Sequence, residues 1–302
     1  MTPLDPRLLI PPQEEEEVYP YRRVWRSIIW ESGIIFAITI ALYVVVIFFG
    51  IQIPPSFQPV TALAVALIPA LAWVMLSWRP EQRVPQPRQR LFAVAVITAL
   101  AANAVGIPVV ESLFQVKRWL PLSSAINRIV GYTFTVGLVQ EFIKYIVLRY
   151  TVWDGHLRVR LDTAAYSAAC AVGYATVLNL QFVLLNAPPV DVAAARMFEI
   201  YTLNLAAGII VAYGLSEVRF GYPSPILLAL TIMLASIVVG VAIPIRSGLV
   251  AASLSLPVSA TKPLLGLGFS LALLVASLVV VSFLFANAER RATEAMAERD
   301  RP

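Results

Sequence analysis

Histidine and cysteine are almost missing from this chain: His156 and Cys170 are the single examples of each in 302 residues. One cysteine excludes an intramolecular disulfide. One histidine leaves little with which to build a metal centre or a histidine-dependent triad. Charge is scarce too, since only 14% of residues are Asp, Glu, Lys or Arg, against about 25% in an ordinary soluble domain. The chain therefore lacks the polar surface of a soluble fold. Its formal net charge of +5 does not point to nucleic acid, because the arginines are spread through short segments between apolar runs and form no basic patch. No secretion signal is expected from the N-terminal stretch either. The N-terminal stretch is polar, contains prolines and carries Glu14 to Glu17, with no apolar core behind a basic start.

What the chain does have is apolar sequence in long runs: 59% of residues are hydrophobic and the mean hydropathy is +0.78. Runs of this length match the thickness of a bilayer. They predict an all-α fold, a polytopic transmembrane helical bundle of about eight spans, at residues 31–50, 58–78, 91–110, 125–149, 163–186, 198–216, 224–244 and 263–287. Pro54-Pro55, Pro80 to Pro87, Pro121, Pro188-Pro189 and Pro223 punctuate the connections. The organisation that follows is a cytosolic tail over 1–30, a transmembrane domain over 31–287 and a second cytosolic tail over 288–302. With that topology sixteen of the 23 Lys and Arg residues fall on the side of the termini, six on the other side, and Lys144 inside a span. The bias places both termini in the cytosol, with the lipid bilayer as the first partner. Trp25, Trp30, Trp78, Trp119 and Trp153 fall near span ends as interfacial anchors, whereas Trp73 reads as packing. The outer segment Gly248 to Leu256 is apolar enough to lie in the interface or to meet a partner.

Ionisable groups inside spans are costly and therefore informative. The fourth span reads Gln140-Glu141-Phe142-Ile143-Lys144, and a spacing of three puts Glu141 and Lys144 on one helix face, where they can pair. Glu141 can act as a general base on water with Lys144 orienting it. Equally, the two can form a purely structural ion pair, or Lys144 can snorkel. The fifth span runs from Asp162 through Tyr166, Ser167, Cys170, Gly173 and Tyr174 to Asn179, and its small side chains allow close helix approach. Cys170 lies among alanines and reads as packing. Ser167 is a conceivable partner for Lys144 in a dyad, though nothing in the sequence fixes that geometry. Asn179, and Asn204 in the sixth span, can hydrogen-bond across helices or donate to a developing oxyanion. Depths counted along the helices put Asn204 level with Glu141. Asn179 joins them only if the fifth span tilts or projects.

These three spans, over about residues 125–216, resemble the PrsW family of intramembrane proteases and, more distantly, the CAAX prenyl endopeptidases. The family's first motif, Glu-Glu-x-x-Lys, stands here as Gln140-Glu141-Phe142-Ile143-Lys144. Its second motif aligns without gaps through Asp162, Tyr166, Ala168, Ala169, Gly173, Ala175 and Asn179, with Tyr174 in place of a phenylalanine. Its third centres on an intramembrane histidine, for which Asn204 stands. The resemblance implies a helical membrane core with Glu141, Lys144, Asn179 and Asn204 as the site positions, and transmembrane or membrane-proximal peptides, or other membrane subunits, as partners. It also implies a bacterial cytoplasmic membrane as the location. Three departures bear on activity: Gln140 and Leu178 replace glutamates and Asn204 replaces the histidine. With His156 in a loop, the usual zinc ligands are not at hand, so no metal and no other cofactor is expected. Two readings follow. In one the protease core is retained but catalytically degraded, and binds peptides or serves in a membrane complex. In the other it is an active endopeptidase in which Glu141 activates water. A transporter would draw on the same Glu141, but no repeated pair of broken helices is visible.

Overall fold

The computed structural model describes residues 24–51, 53–84, 86–153, 155–221, 225–252 and 262–299. Among these residues there is no strand. Long helices follow one another through short connections: α1 Val24–Phe48, α2 Gln58–Glu81 and α3 Leu91–Leu122, then α4 over 125–151. After these come α5 Arg160–Asn186, α6 Val190–Phe220, α7 Pro225–Ala252 and α8 Lys262–Arg299. The all-α transmembrane bundle expected from composition is therefore present. The tail carrying Glu14 to Glu17, Pro223 and residues 253–256 of the proposed interfacial segment lie outside the described residues, while 248–252 continue α7.

Seven of these helices are long and apolar enough to cross a bilayer. The remaining one is α4, the fourth of the eight spans expected from the sequence. It is 27 residues of unbroken helix, with a π-turn at Thr133–Gly137, so it is long enough to span at about 1.5 Å per residue. Its apolarity is diluted by Gln140, Glu141 and Lys144, the residues that make it interesting. It lies along α7 over its whole length. Gly137 meets the backbone of Ser236, and Gly240 meets Thr133, so the two helices run antiparallel and nearly backbone to backbone. Lipid offers no hydrophobic drive for helix pairing, and small residues that permit such approach supply the packing instead.

The helices also outrun the expected spans. The fifth starts at Arg160 rather than 163, the sixth at Val190 rather than 198, and the seventh continues past 244 to Ala252. Arg196 and Arg246, taken from sequence as loop charges, consequently sit within helices. α5 and α6 form the centre: 61% and 78% of their most apolar stretches are buried by protein, against 28–39% for the other candidate spans. The run of alanines on α5 makes this possible. A side chain at Gly173 would collide with the carbonyl of Ala95 on α3, and Gly208 of α6 sits against the backbone of Ser167.

Candidate functional site

Glu141 and Lys144 meet as their spacing requires. Lys144 Nζ lies 2.7 Å from Glu141 Oε1, and the two residues are 0% and 2% exposed. The ammonium also donates to the backbone carbonyl of Asn204 at 3.4 Å and sits 5.7 Å from the centre of the Tyr174 ring. Three of the four expected residues are thus together at the contact of α4, α5 and α6. Asn204 itself donates from Nδ2 to Ile200 one turn back, at 3.0 Å.

Asn179 does not join them. Its Nδ2 donates to the carbonyl of Met197 at 3.4 Å, and Met197 precedes Asn204 by seven residues, roughly 10 Å along α6. The antiparallel register of α5 on α6, with Asn179 at Met197 and Ser167 at Gly208, brings Ala171 rather than Asn179 level with Asn204. Ser167 Oγ is buried without a hydrogen-bond partner, so no Ser167–Lys144 dyad exists. Cys170 is fully buried and accepts from Thr98 Oγ1 at 3.2 Å, which is the packing role expected of it.

The second-motif residues have structural duties. Asp162 Oδ2 accepts from the backbone N–H groups of Arg158 and Val159 at 2.8 and 3.0 Å, capping the start of α5. Its other oxygen accepts from Arg88 Nε at 2.8 Å, and Arg88 also pairs with Glu81. Tyr166 OH donates to the carbonyl of Gln89 at 2.7 Å. Together with Gly173 against Ala95, these contacts fix α5 on α3. They carry no chemistry of their own.

A cavity of about 430 Å³ opens among α3, α4, α5, α6 and α7, and its lining includes Gln140, Tyr174, Leu178 and Ile200. Glu141, Lys144, Asn179 and Asn204 are not among the residues that line it. The positions that do face it are two of the substituted ones, Gln140 and Leu178. Gln140 Oε1, Glu141 Oε2, Asn179 Oδ1 and Asn204 Oδ1 are all buried without a partner, an uncommon concentration of unmet acceptors.

A metal ion does not fit this donor set. Glu141 already spends one oxygen on an ammonium, whose charge repels a cation at close range, and the other nearby donors are neutral amides. Among the described residues no three His, Cys, Asp or Glu side chains come together.

Among the buried charges that escaped the sequence reading, two lie well inside the helices, Glu31 and Glu199. Glu31, placed from sequence at the very start of the first span, is 1% exposed and seven residues inside α1. It accepts hydrogen bonds from Ser77 and from Tyr201 OH, the latter at 3.5 Å. Its signal was the face Val24, Ile28, Glu31, Ser32, Ile35, Thr39, all buried, a 3.6-residue pattern that reaches back before residue 31. Glu199 of α6 pairs with Arg246 of α7 at 3.0 Å, a contact between distant segments that no local pattern announces.

A family model described as PrsW family intramembrane metalloprotease matches residues 86–203. The match starts earlier than the resemblance over 125–216 and takes in α3, the helix on which α5 is seated. It ends one residue before Asn204, so the third-motif position stands outside it. No curated protein and no solved structure matches the chain. Helical architecture, apolar spans and the first two motifs agree with that match: over residues 86–203 this membrane protein is similar to the PrsW family of intramembrane proteases.

Proposed function

We propose that this chain keeps the PrsW-like core as a binding scaffold and has lost turnover, so that it holds transmembrane or membrane-proximal peptides or serves as a subunit of a membrane complex. The observation that carries this reading is the cavity floor. A peptide at the cavity floor meets Gln140, Tyr174 and Leu178, none of which is a strong base. The carboxylate elsewhere in the lining, Glu111, is tied to Lys117 and Gln181, and Glu141 lies behind the floor, fully buried and tied to Lys144. A general base must come within hydrogen-bond reach of the proton it takes, directly or through one water. The donor set offers no metal to supply that base in its place. The charge bias of the loops supports both termini in the cytosol, and the resemblance to the family supports a bacterial cytoplasmic membrane.

One observation favours the active alternative, in which Glu141 activates water. Its Oε2 is buried and has no partner, a free acceptor that a trapped water would satisfy. The test is incubation of the purified full chain with unstructured and with transmembrane peptides, beside Glu141→Ala. The scaffold reading predicts peptide capture with no cleavage above that of Glu141→Ala. Cleavage by the unsubstituted protein that Glu141→Ala abolishes establishes the endopeptidase instead.

A further inference from the structure

Three cations line the cavity: Lys117, Arg196 and Arg246. Two have carboxylate partners, with Lys117 Nζ 2.6 Å from Glu111 and Arg246 Nη1 3.0 Å from Glu199. Arg196 is left over. Among the described residues its guanidinium has no ion pair within contact distance and no hydrogen bond; it faces the Phe182 ring at 4.2 Å, feels the Glu199 carboxylate that Arg246 already holds, and its Nε is buried without a partner. The residue is half-buried and lies six positions into α6, roughly 9 Å from the start of that helix. A guanidinium held there with unused donors is costly until an anion meets it, and its planar fork suits a carboxylate in bidentate geometry. Deeper in, Tyr174, Leu178 and Ile200 make the wall apolar, and Gln140 offers one unmet amide oxygen. The volume, about 430 Å³, falls within the range of small-ligand pockets. It has room for a few side chains and none for a whole diacyl lipid.

We propose that this cavity binds a peptide segment through a carboxylate held by Arg196, with the neighbouring apolar side chains of the peptide filling the space toward Tyr174 and Leu178. The proposal rests on the peptide-binding reading above and names what the peptide must carry. Two sources of the carboxylate exist, a C-terminus and an acidic side chain.

The experiment uses the full chain in nanodiscs of zwitterionic lipid and three fluorescent hexapeptides of one apolar sequence. The first has a free C-terminal acid, the second a C-terminal amide, and the third is the amide with one aspartate in place of an apolar residue. At least one carboxylate-bearing peptide binds about tenfold or more tighter than the plain amide, and which one does so names the source. Arg196→Gln removes the preference, so that all three peptides bind with one Kd, and Arg196→Lys keeps part of it. Equal Kd values for all three peptides with the unsubstituted protein overturn the carboxylate proposal while peptide binding stands. No binding by any of them overturns the peptide-binding reading, and this proposal with it. Loss of the preference when phosphatidylglycerol is added to the nanodiscs assigns Arg196 to a lipid headgroup, which also overturns it.

Discussion

Lys144 touches two acceptors of different kinds, a carboxylate on its own helix and a backbone carbonyl on α6. It therefore neutralises Glu141 and fastens α4 to the central pair at once. Removing one partner of a buried ion pair leaves the other charge uncompensated, which costs about 3–5 kcal/mol, whereas replacing both is close to neutral. Lys144→Met is expected to lower the midpoint of thermal unfolding in detergent by that order of destabilisation, and Glu141→Gln added to Lys144→Met to restore most of it. If the single and double variants unfold together, the pair contributes nothing to the fold. This pairing was legible in the sequence because a spacing of three on a helix leaves little freedom. Glu31 was not, since the polar stretch before it hid the start of α1, and its partners Ser77 and Tyr201 are remote in sequence.

At the scale of the helices, small residues decide who is neighbour to whom. The alanine-rich character of α5 announced close packing, and the helix is buried along most of its length. Its register on α6 could not be read. Depth counts left Asn179 awkward, and the structure places it against Met197 because the register is set where Ser167 meets Gly208. The α4–α7 pairing was equally hidden, since Gly137 and Gly240 are far apart in the chain and each is unremarked in its own run. A Cβ on Gly137 would press into the backbone of Ser236, which cannot swing aside as a side chain can. Gly137→Val is therefore expected to destabilise by about 1–3 kcal/mol through overpacking. Gly33→Ala on α1, with nothing within 4 Å, is expected to leave thermal unfolding in detergent unchanged or slightly improved. Equal unfolding midpoints for the two variants would contradict the close α4–α7 approach.

For the whole molecule, composition and run length were enough to give the bundle, because in lipid the backbone is satisfied by helices or by a closed barrel, and apolar runs of about 20 residues suit helices. Composition also explains the one ambiguous helix: Gln140, Glu141 and Lys144, which make α4 a candidate site, dilute its apolarity. The separation of the cavity from the buried pair was beyond sequence. Gln140 and Glu141 are adjacent in the chain, yet only the first lines the cavity, and the same holds for Leu178 and Asn179. Adjacent helical residues point about 100° apart, so one step along the chain decides between floor and interior. The account stands on that division, and cysteine labelling in nanodiscs reads it directly. With Cys170→Ala as background, Gln140→Cys, Leu178→Cys, Asn179→Cys and Asn204→Cys are treated with a water-soluble maleimide, before and after unfolding in SDS. The structure predicts prompt labelling at 178 in the folded protein, slower labelling at the mostly buried 140, and labelling at 179 and 204 only after unfolding. Labelling at 204 as fast as at 178 would place water beside the Glu141–Lys144 pair and contradict the proposed scaffold reading.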